Sequence, residues 1–226
     1  MQQLPNYGDG RNKGWCVFCG GPEETRDHVP SRILLDEPYP ENLPVVPACH
    51  ACNQSFSLDE EYFACLVECA RTGSVELART ARPKIAKTLD RKSSLVIRLD
   101  LAKHEMEDRI VWKPEDERVR NVVVKLARGH VAFEQNEPRL DQPITVSIVP
   151  HCTMTTDVRA EFEESPVSGY WPEVGSRAMH RILVGVEGEY PWIEVQSERY
   201  RFMVASAPFM VRIVFAEYLA AEVIWN

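Results

Sequence analysis

No apolar run in this 226-residue chain approaches the roughly 20 residues that a membrane-spanning helix needs. The opening residues, Met1-Gln2-Gln3-Leu4-Pro5, lack the apolar core and cleavage site of a secretory leader. A cytoplasmic protein with no membrane contact is therefore the expectation. There is no internal repeat and no low-complexity tract. Excess positive charge is missing too, since 26 Lys and Arg face 34 Asp and Glu, a formal net charge of -8. That balance works against indiscriminate binding to nucleic acid, where neutralisation of phosphates supplies much of the affinity. A fully paired disulfide framework is excluded, because seven cysteines is an odd number.

What is present is an ordinary globular composition, 44% hydrophobic and 27% charged, on a chain long enough for a substantial core. The charge is unevenly placed. Residues 1–62 carry a net of -6, residues 63–130 a net of +5, and residues 131–226 a net of -7. A basic middle can still present one positive face. Composition divides the chain into a polar, glycine-containing arm at 1–14 read as flexible, and a proline-rich knuckle module at 15–62. A mainly helical, basic region follows at 63–130, then a mixed, acidic region at 131–226 whose role the sequence does not name. The fold class expected is α+β.

Ser57 and Glu60 have the spacing of a capping box. Tyr62, Phe63, Leu66, Val67 and Ala70 follow at helical intervals, and Gly73 closes the helix. Cys65 and Cys69 lie one turn apart and read as core, because free cysteine behaves as a small hydrophobe. Helix continues over 74–90, interrupted near Pro83, and again over 93–110. The stretch 119–133 is helical in pattern, with a strand possible. Strands are expected at 144–149, 181–186, 200–204 and 211–215, and 218–225 reads as either strand or helix. Arg79, Arg82, Lys84, Lys87, Arg91 and Lys92 recur at three- and four-residue steps. They form either a backbone-tracking face or a solvated one. Tyr170-Trp171 and Tyr190-Pro191-Trp192 read as packing residues before base-stacking ones.

The chemistry concentrates near the N-terminus. Cys16-Val17-Phe18-Cys19 and Cys49-His50-Ala51-Cys52 are two Cys-x-x-Cys turns, each presenting two thiolates. Brought together they form a closed tetrahedral site for structural Zn2+. The 29 residues between Cys19 and Cys49 exceed the roughly 15–20 of a simple zinc ribbon. That spacer holds Asp27-His28-Val29-Pro30 and Asn42-Leu43. Arg26, Ser31 and Arg32 flank the Asp-His pair, as phosphate ligands or as ordinary surface.

Over residues 15–58 this arrangement resembles the HNH endonuclease superfamily, the ββα-metal nucleases. The residues that carry the resemblance are the two knuckles, Asp27-His28-Val29-Pro30, Asn42-Leu43 and Asn53. It implies a zinc-stapled ββα module in which His28 is the general base on the first strand of a hairpin. It further implies that Asn42 braces the loop, and that Asp27 and Asn53 hold one divalent cation. The family most often has histidine at the position of Asn53. An amide oxygen is the harder donor and favours Mg2+ or Mn2+. His50 is out of register for that role. The implied partner is nucleic acid, DNA before RNA, with a protein partner or a second copy possible through the C-terminal region. The competing reading is a non-catalytic zinc module with an acidic interaction surface.

Overall fold

The computed structural model describes residues 3–8, 10–107, 110–166, 170–185 and 190–226. The chain is α+β and divides into two compact units, residues 56–122 and residues 1–55 with 123–226. The compositional shifts at 62/63 and 130/131 do not coincide with these boundaries. No helix among the described residues is long and apolar enough to cross a membrane.

The unit at 56–122 is one continuous segment of the chain. Helix α2 (Ser57–Thr72) buries Tyr62 through Cys69 and ends at Gly73, whose φ of 88° is the left-handed cap position that glycine adopts without strain. Its N-cap is Phe56 rather than Ser57. Phe56 is already helical, so Ser57 sits inside the first turn. Burial pushes the thiols of Cys65 and Cys69 up to about 12, as suits inert core cysteines. Helices α3 (Val75–Ala81) and α4 (Pro83–Arg91) break at Arg82, with Pro83 at the first position of α4. Proline is tolerated there because that N–H has no helical partner.

The helix expected over 93–110 stops early. Helix α5 (Ser93–Ala102) gives way to a small hairpin of β3 (Lys103–Glu105) and β4 (Ile110–Trp112). The Ile110-Val111-Trp112 run favours an extended partner over a further helical turn; residues 108 and 109 lie outside the described set. Three residues of the basic run pair with acids of the same unit. Arg82 is buried 3.9 Å from Glu68, Arg79 lies 3.6 Å from Asp90, and Lys92 lies 2.6 Å from Glu61. Much of that charge is spent within the unit.

Residues 1–55 and 123–226 build around a five-stranded antiparallel sheet. Its order is β5 (Thr145–Pro150), β9 (Leu219–Trp225), β8 (Phe209–Phe215), β7 (Tyr200–Ser206), β6 (Ile193–Gln196). The central strands β7 and β8 are buried almost throughout, the pattern of strands covered on both faces. On one face lies α6 (Asp116–Gln135), which enters this unit at Val123. Its His130 stacks on Phe202, and its Gln135 bonds Ser206. On the other face, Phe162 of α7 (Thr156–Glu163) packs on Val214 and Ala220. Arg212 of β8 donates to the carbonyls of Glu161, Phe162 and Glu164 at 2.9–3.0 Å. An arginine in a central strand thus satisfies the otherwise orphaned carbonyls at the end of α7.

The strand expected at 181–186 is instead the end of helix α8 (Arg177–Leu183), with Val186 outside the described residues. Ser176 Oγ accepts the N–H of Met179 at 3.1 Å and starts the helix. Arg181 then reaches a buried ion pair with Glu134 of α6, a partner that local β propensity does not register. The described residues of the N-terminal arm form no helix or strand, but the Leu4 carbonyl accepts from Arg177 at 2.8 Å and the Tyr7 N–H donates to the Gly175 carbonyl at 2.7 Å. Tyr190 is buried and Trp192 donates to the Glu163 carbonyl, so these two pack as read. Tyr170 and Trp171 are largely exposed instead.

His130 makes the sheet unit sensitive to acid. The imidazole is fully buried, with Nε2 2.8 Å from the Tyr200 hydroxyl. Burial holds it well below the ordinary 6.5. The unfolded chain takes up a proton near 6.5 that the folded chain refuses. Stability from this group is therefore complete above that value and falls as pH drops beneath it, by up to about 1.4 kcal/mol per pH unit. Urea unfolding at pH 7.5 and 5.5 is expected to show a larger acid loss in the wild type than in His130→Gln.

Candidate metal centre and active site

Strands β1 (Thr25–His28) and β2 (Val45–Ala48) form a two-stranded antiparallel hairpin, with Asp27 opposite Val46 and His28 opposite Val45. Helix α1 (His50–Ser55) follows directly. So short a hairpin is marginal alone in water, and both knuckles meet it at the end where Thr25 pairs with Ala48. At the first knuckle, Cys16 N–H donates to the Gly21 carbonyl at 2.7 Å, and Gly20 N–H returns to the Cys16 carbonyl at 2.8 Å. Val17 N–H donates to the Pro47 carbonyl of β2 at 3.1 Å, tying the first knuckle to the hairpin. At the second, the Cys52 N–H points at Cys49 Sγ from 3.4 Å.

The four Sγ atoms of Cys16, Cys19, Cys49 and Cys52 all lie within 4.8 Å of one another, and Cys19 Sγ is 3.7 Å from Cys49 Sγ. Tetrahedral zinc with bonds of about 2.3 Å sets its sulfurs about 3.8 Å apart. Spacing and donor chemistry therefore fit a structural metal such as zinc. The N–H of Cys52 favours the thiolate of Cys49 and holds that thiol below its usual value, while burial raises Cys52. Two of the four ligands are buried and one is exposed, so the site is a staple at the edge of the unit.

Beside it, Asn53 of α1 lies against β1. Its Nδ2 is 3.4 Å from both Thr25 Oγ1 and the Arg26 carbonyl. The helix that carries Cys52 thus sets Asn53 alongside the strand that carries Asp27 and His28. His28 is half-buried at the strand end. Desolvation and the nearby charge of Arg32 lower its pKa, against an opposing pull from Asp27. Arg32 is exposed and lies over the Tyr39 ring at 5.5 Å. The Arg26 side chain is 73% exposed, 3.7 Å from Glu23. Asn42 is an exposed residue of the connection between β1 and β2, and its carbonyl accepts from Gln3. His50 is exposed, and its N–H donates to Glu24 Oε2 at 2.9 Å.

Asp27 and Ser31 have a partner that the sequence reading did not name. Both are buried. Lys125 Nζ, from α6, lies 2.6 Å from Asp27 Oδ2 and 3.3 Å from Ser31 Oγ. The Lys125 side chain is 1% exposed. The signal that could have found it is a lysine inside the apolar stretch Val122, Val123, Leu126 and Ala127, since a buried lysine demands a partner.

One turn further along α6, Gly129 faces Val29. A Cβ at Gly129 would fall 2.6 Å from Val29 Cγ2 and 3.3 Å from its Cβ. Val29 is fully buried and stiff at χ1, so it cannot yield. Gly129→Ala gains about 1 kcal/mol of helix propensity and loses about 1–3 kcal/mol to overpacking. A net loss of up to about 2 kcal/mol is expected, read as a lowered melting midpoint. Lys125 and Gly129, four residues apart, share one helix face, and that face seats α6 on the hairpin.

The chain matches no known family, no characterised protein and no solved structure in comparisons of sequence and fold.

Proposed function

We propose that the chain is a metal-dependent endonuclease that hydrolyses phosphodiester bonds in DNA. The observation that carries this reading is the packing of α1 on β1. It sets Asn53 beside the strand bearing Asp27-His28, next to a four-cysteine cluster that has the spacing of a zinc staple. A staple alone has no use for an acid-histidine pair at that place.

In this reading the neutral imidazole of His28 takes a proton from a water molecule. The water oxygen forms a bond to phosphorus, and the bond from phosphorus to the 3′ oxygen breaks. Asp27 and Asn53 would hold one Mg2+ or Mn2+, whose charge would stabilise the phosphate and the departing oxygen. Asn42 would brace the loop that connects the strands. Arg26 and Arg32, both exposed, would grip phosphate, whereas Ser31 is turned inward to Lys125.

The second reading is a zinc-stapled binding module without catalysis. Two facts favour it, the engagement of Asp27 by Lys125 and the net charge of -8. Labelled DNA and RNA of one sequence, incubated with zinc-loaded protein and Mn2+, separate the readings. Products from DNA are expected. Products from RNA alone would transfer the same site to RNA, and intact strands of both would favour the binding module.

A further inference from the structure

A lysine buried to 1% exposure against a carboxylate is an unusual device. Stability is a poor reason for it, because buried ion pairs roughly break even against apolar packing. Its place is more telling. Lys125 enters from α6 and meets Asp27 on the strand next to His28. Its Nζ also lies 3.3 Å from Ser31 Oγ and 5.8 Å from the centre of the Phe18 ring, between the cysteines of the first knuckle. A positive charge therefore already sits on the carboxylate that the nuclease reading gives to a divalent cation.

Resting on that reading, we propose that Lys125 is a resident counter-cation for Asp27. Its ammonium neutralises and orients the carboxylate through Oδ2 and weakens the site's hold on a divalent cation. The cation is then retained only when a phosphate of the nucleic acid adds its own oxygens. Two cations that share one carboxylate repel each other, and in a buried site the repulsion is little screened. A phosphate bridging to the cation offsets that repulsion with its negative charge. The site would thus load metal and substrate together, and the free protein would carry little Mg2+. Lys125 acts through Asp27, so it is a positioning residue.

The test is Mn2+ binding followed by electron paramagnetic resonance on the full, zinc-loaded chain. It is run with and without a short DNA duplex carrying uncleavable phosphorothioate linkages. Wild type is expected to bind Mn2+ weakly alone and more tightly with the duplex. Lys125→Met is expected to bind it about tenfold or more tightly alone, with a smaller further gain from the duplex. Lys125→Gln keeps a hydrogen-bond donor for Asp27 and is expected to shift affinity the same way; it serves if the methionine variant does not fold. A purely structural lysine would lower the melting midpoint of both variants without tightening Mn2+ binding. Unchanged or weaker affinity in the folded variants overturns the proposal. Mn2+ binding that is lost in Asp27→Asn yet indifferent to Lys125 overturns this proposal alone. No Asp27-dependent binding in wild type, with or without duplex, overturns the metal-site reading and the proposal with it.

Discussion

Cys16→Ser or Cys52→Ser is expected to strip the chain of zinc and to melt the hairpin that carries Asp27 and His28. The strands β1 and β2 have four residues each, too few to persist as a free hairpin. Both knuckles are anchored to that hairpin, the first through Val17 and Pro47 and the second through α1. Binding of structural zinc is folding free energy, on the order of 10–16 kcal/mol in small zinc-finger peptides, so the loss exceeds what the hairpin's own contacts can offset. The checks are zinc content and amide hydrogen exchange. Protection at residues 15–55 is expected to collapse in the serine variants and, after chelation, in the wild type. The five-stranded sheet, with its own core of Phe202, Ile213 and Val214, is expected to keep more of its protection. A variant that retains both zinc and hairpin protection would remove the staple.

His28→Ala is expected to leave fold and zinc intact and to lower the cleavage rate by about 10²–10⁴-fold, the usual worth of a positioned general base. The side chain is half-buried at the end of β1 and is no ligand of the cysteine cluster, so its removal costs little packing. Single-turnover cleavage with saturating Mn2+ isolates the proton-transfer step. Cleavage at the wild-type rate would remove His28 as the base.

The parts of this molecule that were legible in sequence are those whose signal is local. Cys-x-x-Cys spacing foretells the four-sulfur cluster, because each turn fixes two ligands within four residues. Gly73, Pro83 and the alternating apolar runs of 200–204 and 211–215 mark their elements by backbone chemistry alone. Other features turn on a partner distant in the chain. Arg181 looked like part of a strand until Glu134 supplied its counter-ion. The basic run 79–92 left a phosphate-tracking face and a solvated one open in sequence; Arg82 and Lys92 turn to Glu68 and Glu61. Ser31 looked like a surface ligand, but Lys125, 94 residues further on, draws it inward. Periodicity says that a residue is buried; it does not say against what. Lys125 is the clearest instance, since the pattern of α6 marks it as an anomaly and only the fold names Asp27.

The most direct measurement of the central claim is the nicking of supercoiled plasmid by zinc-loaded protein. Wild type and His28→Ala are run side by side in Mg2+, in Mn2+ and in EDTA that has been kept from stripping the zinc. The account predicts relaxed circles with wild type in either metal, none in EDTA, and little or none with the variant. Intact supercoils from a folded, zinc-bearing wild type in both metals, or equal nicking by the two proteins, would contradict it.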